Sequence, residues 1–196
     1  MPGPLRKFQI NSLLLALSLA VLPHWQPASA QVASGAQDTT PSARALFAAL
    51  KDLAGTWNGR VTTDPANPNL DGPIQVTMRV ASHGNVLMHE IAPGGVPEPT
   101  LIYLDGDRLT LIHYCEAGNR PRMVARRAAP DQKGIVFDFV DISGSTRPVY
   151  LSNFVFTPIT ADHHTEDWTF TLPNGMQLHA HFDLTRAKAG GSEAGR

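Results

Sequence analysis

The sequence is short of cysteine, of charge and of long apolar runs, and each shortage removes a class of protein. A single cysteine, Cys115, stands among 196 residues, so no intramolecular disulfide can form. A disulfide-framework toxin or growth factor is excluded, and the fold must hold by packing alone. Charged residues make up 17% of the chain, with 16 Lys and Arg against 17 Asp and Glu. A chain that grips nucleic-acid phosphates is normally basic, so no nucleic-acid partner is expected. The longest apolar stretch, residues 13–22, is far shorter than the roughly 20 residues that span a bilayer. Catalytic templates are also missing. His89-Glu90 is followed by Ile91, Ala92 and Pro93 rather than by the second histidine of a zinc protease. Gly144-Ser145 lacks the nucleophile-elbow pattern, and there is neither a phosphate-binding glycine loop nor a Cys-Xaa-Xaa-Cys pair. The sequence therefore points away from an enzyme without excluding one.

What is present begins with an export pattern. Arg6-Lys7 precede the apolar residues 13–22, and Pro23 and the small run Ala28-Ser29-Ala30 follow. This predicts a signal peptide over residues 1–30, cleaved after Ala30, and delivery to the periplasm or the extracellular space. No cysteine follows the cleavage point, so no lipid or other stable membrane anchor is expected of the mature chain. Taking 30 from 196 leaves 166 residues, enough for one domain. The signal removes two basic residues and no acid, which leaves 14 basic against 17 acidic residues and a formal charge of −3. Residues 31–41 and 187–196, small, polar and rich in Ala, Gly and Ser, are expected to be flexible tails.

The domain is predicted over residues 42–186. From Ser42, Leu46, Phe47, Leu50 and Leu53 fall on one helical stripe and Gly55 is placed to end the helix. Beyond it the apolar period is two. Ten strand-like runs are read at 56–63, 73–82, 85–93, 99–104, 107–116, 123–129, 134–141, 150–157, 163–172 and 176–186. Their connections alternate, with short turns at the even positions and longer loops at the first, third, fifth and seventh. In an up-and-down meander alternate connections share an end, so this alternation predicts an antiparallel up-and-down barrel rather than a Greek-key sandwich. Turn counting pairs Phe170 with Leu178, Trp168 with Ala180, Asp167 with His181, and Ile102 with Leu109. Val76, Met78, Val80, Leu87, His89 and Ile91 share one face, as do Leu104, Leu111, His113 and Cys115.

The helix running into Gly55-Thr56-Trp57 resembles the Gly-Xaa-Trp start of the lipocalins and wider calycin barrels. The block from Leu104-Asp105-Gly106-Asp107 through His113-Tyr114-Cys115 to Met123 resembles one found in uncharacterised exported bacterial lipocalin-like proteins. The resemblance implies an all-β calycin-like barrel whose helix closes one end. It also implies that Trp57 plugs that end with Arg186 packed on its indole, an arrangement contributing about 0.5–2 kcal/mol. Ten strands suit the fatty-acid-binding or nitrobindin-like branches better than the eight-stranded one.

The long loops then form the open rim. His113 and Cys115 point inward just below the loop 117–122, which carries Asn119 and Arg122, and His89 reaches toward them from two strands away. This set predicts a polar cluster in an apolar cup. His89, His113, Cys115, Asn119 and Arg122 would line the site of a small apolar or amphipathic ligand, with His113, Asn119 and Arg122 fixing its polar end. No cofactor is called for, and no metal. The alternatives left open are a haem or metal protein using His113 or His89, an enzyme using Cys115 with His113, and an envelope protein whose barrel is simply filled. Each residue also has a plainer role, as a satisfied buried histidine, a small buried thiol or a solvated arginine. His179 and His181 share the outer face with Asp167, where a cross-strand ion pair accounts for them. His164 and Glu166 share the inward parity of Trp168 and predict a buried polar network near the closed end, or a ligand site.

Overall fold

A single polar-to-apolar alternation repeated along ten strands leaves each strand one face to bury, and closing the sheet on itself buries all ten faces while removing both edges. The structure, a computed structural model, does this over the described residues 41–126, 133–145 and 149–188. The segment read as an export signal, residues 1–30, with nearly all of residues 31–41 and most of residues 187–196, lies outside the described residues. The elements are α1 (Ala43–Lys51), β1 (Gly55–Asp64), β2 (Gly72–Ala81), β3 (Val86–Ile91), β4 (Glu98–Asp105) and β5 (Arg108–His113). They continue as β6 (Asn119–Ala125), β7 (Ile135–Gly144), β8 (Tyr150–Thr160), β9 (His163–Thr171) and β10 (Gln177–Arg186). Every strand pairs antiparallel with its sequence neighbours, and β1 pairs β10 to close the barrel.

The helix starts at Ser42, whose hydroxyl accepts from the Ala45 N–H at 3.2 Å, one of the orphan donors of a first turn. Phe47 and Leu50 enter the core, with Leu46 and Leu53 packed at its margin, as the stripe predicts. Fully burying two such side chains contributes about 3–6 kcal/mol. Lys51 lies over the Phe47 ring and donates to the Gly84 carbonyl at 3.2 Å, tying the helix to the β2–β3 turn. The helix thus sits over the short-turn end. The connections β1–β2, β3–β4, β5–β6, β7–β8 and β9–β10 gather at the other, open end.

Inside, Trp57, Trp168, Phe137, Phe154, Leu87, Leu111 and Met123 are fully buried. Three of the predicted pairings hold, Phe170 with Leu178, Trp168 with Ala180 and Asp167 with His181, and the face shared by Val76, Met78, His89 and Ile91 is seen as the pairs Val76 with Ile91 and Met78 with His89. One is corrected. Leu104 pairs Leu109 and Ile102 pairs Leu111, because the turn tip is Gly106-Asp107, with Gly106 at φ +63, rather than Asp105-Gly106. Moving the tip by one residue moves the pairing by two, so every side chain keeps its face.

A second correction concerns the β5–β6 connection. It is a tight turn, in which Gly118 N–H donates to the Cys115 carbonyl at 2.9 Å and Cys115 N–H to the Asn119 carbonyl at 3.1 Å. Cys115 therefore lies just past β5, whereas Asn119 and Arg122 sit on β6 and not on a rim loop. Strand alternation then sends them to opposite faces.

Candidate functional site

At the open end the register aligns two rows of inward side chains. Thr100 on β4 stands between His89 on β3 and His113 on β5, paired with each. One step nearer the mouth, Ile91 pairs Glu98, and Cys115 follows His113 at the same parity. Glu98, His113 and Cys115 converge so that one donor atom of each lies within 4.8 Å of the others. The His113 ring is fully buried, and its Nδ1 lies 2.9 Å from the Thr100 hydroxyl. Its Nε2 is 3.3 Å from Glu98 Oε2 yet makes no hydrogen bond. Burial pushes the half-buried Cys115 thiol up, with the Glu98 and Glu116 charges adding to it and the Ala117 backbone opposing. That is the reverse of the depressed thiol of an activated nucleophile.

Below this mouth lies a buried carboxylate. Glu166 on β9 is wholly inaccessible and receives His89 Nε2 at 3.0 and 3.1 Å, His164 Nε2 at 3.0 Å and the Trp168 indole N–H at 2.9 Å. An ionised carboxylate only accepts, so both imidazoles donate through Nε2. Burial would raise this carboxyl, but the His89 charge and the hydrogen bonds from His164 and His89 outweigh it and hold it well below the usual carboxylate range. The Trp168 indole lies between the two levels, with the His113 ring 5.3 Å from it, edge-on, and the His89 ring 5.7 Å away.

No family model matches the chain, and no curated protein matches it. Among solved structures it is similar to a protein of unknown function from the DUF3598 family of Nostoc punctiforme PCC 73102. The TM-score is 0.46 and the identity 12%, over 69% of this chain and 48% of that one. The chain spans about half the length of that protein.

The closed end is built around Trp57. Arg186 lies over its ring at 4.4 Å and donates to the Ala54 carbonyl at 3.0 Å and to Asp162 Oδ1 at 3.0 Å. The indole donates to the Leu53 carbonyl at 3.0 Å, and the His164 ring meets it edge-on at 4.3 Å. Gly55 is at φ +146, where a side chain is strained, and a Cβ there would lie 2.9 Å from Arg186 Nη1, so the guanidinium would have to shift. Glycine ahead of this tryptophan is thus a packing requirement as well as a backbone one.

The predicted site residues divide accordingly. His113 and Cys115 meet, and Asn119 faces inward beside them, its amide donating to the Val149 carbonyl at 2.8 Å. His89 instead turns to Glu166. Arg122 does not reach the mouth, because it projects from the outer face of β6 and pairs with Asp141 through two hydrogen bonds, its Nε donating at 3.0 Å. His181 pairs Asp167 at 2.6 Å on the outer face, and His179 contacts Thr169 at 3.1 Å, beside a shallow outer groove of about 350 Å³. Two residues were missed. Thr100 already stands in the run 99–104 at the parity of Ile102, and extending that run one residue to Glu98 would have placed Glu98 inward as well, but Glu98 read as part of the loop 94–98.

Proposed function

We propose that this chain is an exported, lipocalin-like barrel that binds a small amphipathic molecule at its open end. The observation that carries this reading is the character of the rim. Leu70, Val96, Tyr114 and Met176, each from a different open-end connection, are all exposed large apolar side chains. Exposed large apolar side chains carried by four separate connections at one end of a barrel suit a binding rim. Beneath them the inward wall is split. Ile74, Ile91 and Phe170 line one side, and Glu98, His113 and Asn119 the other, with Cys115 at the turn. An amphipathic ligand would set its polar group on His113 and Glu98 and its apolar part against the rim. It would sit shallow, since Trp168, Phe154 and Phe137 fill the barrel beneath. Export is supported by the pattern in residues 1–30, and lipocalin likeness by Gly55, Trp57 and Arg186 at the closed end.

The test is native mass spectrometry of protein recovered from an exporting host, followed by thermal shift with fatty acids, lysolipids and aromatic acids. A co-purifying organic mass, or a shift that Tyr114→Ser and Met176→Ser diminish, supports the reading. Apo mass alone and no shift across the panel would overturn it in favour of a filled structural barrel, which the packed core also suits.

A further inference from the structure

We propose that Glu98, His113 and Cys115 form a three-ligand site for a divalent transition metal, with its open coordination position facing the barrel mouth. The inference deepens the ligand reading by using the same polar wall, but its evidence is separate and it stands if no organic ligand is found.

The donor set comes first. One imidazole nitrogen, one thiolate and one carboxylate oxygen suit a borderline ion such as zinc, and three protein ligands leave a fourth tetrahedral position for water or an incoming donor. Spacing comes second. Zinc bonds of about 2.0–2.1 Å to nitrogen and oxygen and about 2.3 Å to sulfur place neighbouring tetrahedral donors about 3.3–3.6 Å apart. The observed His113 Nε2 to Glu98 Oε2 distance is 3.3 Å, and all three donors lie within 4.8 Å. The nitrogen and carboxylate oxygen already have this spacing, and the sulfur has to approach by at most about 1–1.5 Å on those bond lengths. It stands on the turn past β5, where the side chain is only half-buried.

The unpartnered nitrogen is the independent observation. His113 is 0% exposed, and its Nε2 makes no hydrogen bond although a carboxylate oxygen is 3.3 Å away. A buried polar atom without a partner is costly, and one aimed at a carboxylate has two states, both poor. As N–H it is a misaligned donor, and as a lone pair it faces another acceptor. A cation between the two atoms satisfies both at once. The Thr100 hydroxyl 2.9 Å from Nδ1 is placed to accept an Nδ1 proton, which leaves the Nε2 lone pair free and holds the ring plane, the usual office of an outer partner to a metal-bound histidine. On binding, the Cys115 thiol releases its proton to solvent and the sulfur bonds the metal as thiolate.

Cobalt(II) is the probe, added to the untagged full-length mature chain after chelator stripping. The expected result is one equivalent of cobalt giving a sulfur-to-metal charge-transfer band and the intense visible absorption of four-coordinate cobalt, both bleached by zinc. Cys115→Ser, at a half-buried position where the fold should persist, removes the charge-transfer band, and Glu98→Gln weakens binding at least tenfold. The double variant His179→Ala/His181→Ala keeps the spectrum. Lack of a saturable band in the wild type, its survival in Cys115→Ser, or its loss in the outer-face double variant would each overturn the proposal. Thermal shift with the organic panel, run with and without chelator, reports on the ligand reading separately.

Discussion

Replacing Glu166 by alanine withdraws the acceptor of three buried donors at once, and the size of the loss follows from the geometry. His89 Nε2, His164 Nε2 and Trp168 Nε1 all lie within 3.1 Å of the carboxylate, which is the one acceptor each meets among the described residues. An unsatisfied buried donor costs about 1–3 kcal/mol, so three would cost about 3–9 kcal/mol if nothing relaxed. Removing a desolvated charge offsets part of this, and breaking one partner of a buried ionic cluster typically nets about 3–5 kcal/mol. With a urea slope of about 2 kcal/mol per molar, that lowers the unfolding midpoint by about 2 M, a large share of a domain stability of about 5–15 kcal/mol. Glu166→Gln keeps the shape but can satisfy fewer donors, and should lower the midpoint by about 0.5–1.5 M. Urea titration followed by tryptophan fluorescence measures both, with Trp168 as the local reporter. An alanine variant within about 0.25 M of wild type would refute the view that this carboxylate organises the core.

Four further outcomes are expected. Because the folded Glu166 carboxyl is held below its ordinary value of 4.5, the unfolded chain binds the extra proton in acid. Its stabilisation is full above about pH 4.5 and drains away below it, with a slope of about 1.4 kcal/mol per pH unit per proton. Acid unfolding followed by circular dichroism should show that limb in wild type and a shallower one in Glu166→Gln, whose other facing groups, His89 and His164, are unchanged. Arg186→Ala should lower the melting temperature by about 2–8 °C, since it removes a ring contact of about 0.5–2 kcal/mol together with the bonds to Ala54 and Asp162. Gly55→Ala should destabilise by about 1–3 kcal/mol, and less in the Arg186→Ala background, where the colliding guanidinium is gone; strict additivity would contradict the packing account. Arg122→Ala should leave the midpoint of any ligand titration unchanged, and a weakened titration would place Arg122 at the mouth after all.

Much of the fold was legible in the sequence because barrels are built from local rules. Period-two alternation assigned the inward residues, and the alternation of short and long connections gave the up-and-down order. Even the mistaken turn tip at Gly106 left Ile102, Leu104, Leu109 and Leu111 on the correct face, because tip errors shift pairing in steps of two. The candidate site was less legible. His113 and Cys115 could be paired by parity on one strand, but strand ends are set by turn hydrogen bonds, and a boundary misplaced by a few residues turned β6 into loop and hid the outward projection of Arg122.

By itself the sequence determined which side chains face inward, because that depends only on the pleat and on the turns. The closed-end partnership of Trp57 and Arg186 was implied by the resemblance carried by Gly55-Thr56-Trp57, and the β1–β10 pairing that closes the sheet brings the two together. Tertiary structure alone decided which inward groups touch across the lumen. His89 and Glu166 stand on β3 and β9, 77 positions apart, and they meet because strand tilt and stagger set the height at which each inward side chain projects. No local period records that height. The same cause sends His89 down to the Glu166 carboxylate and leaves His113 facing Glu98 and Cys115 at the mouth.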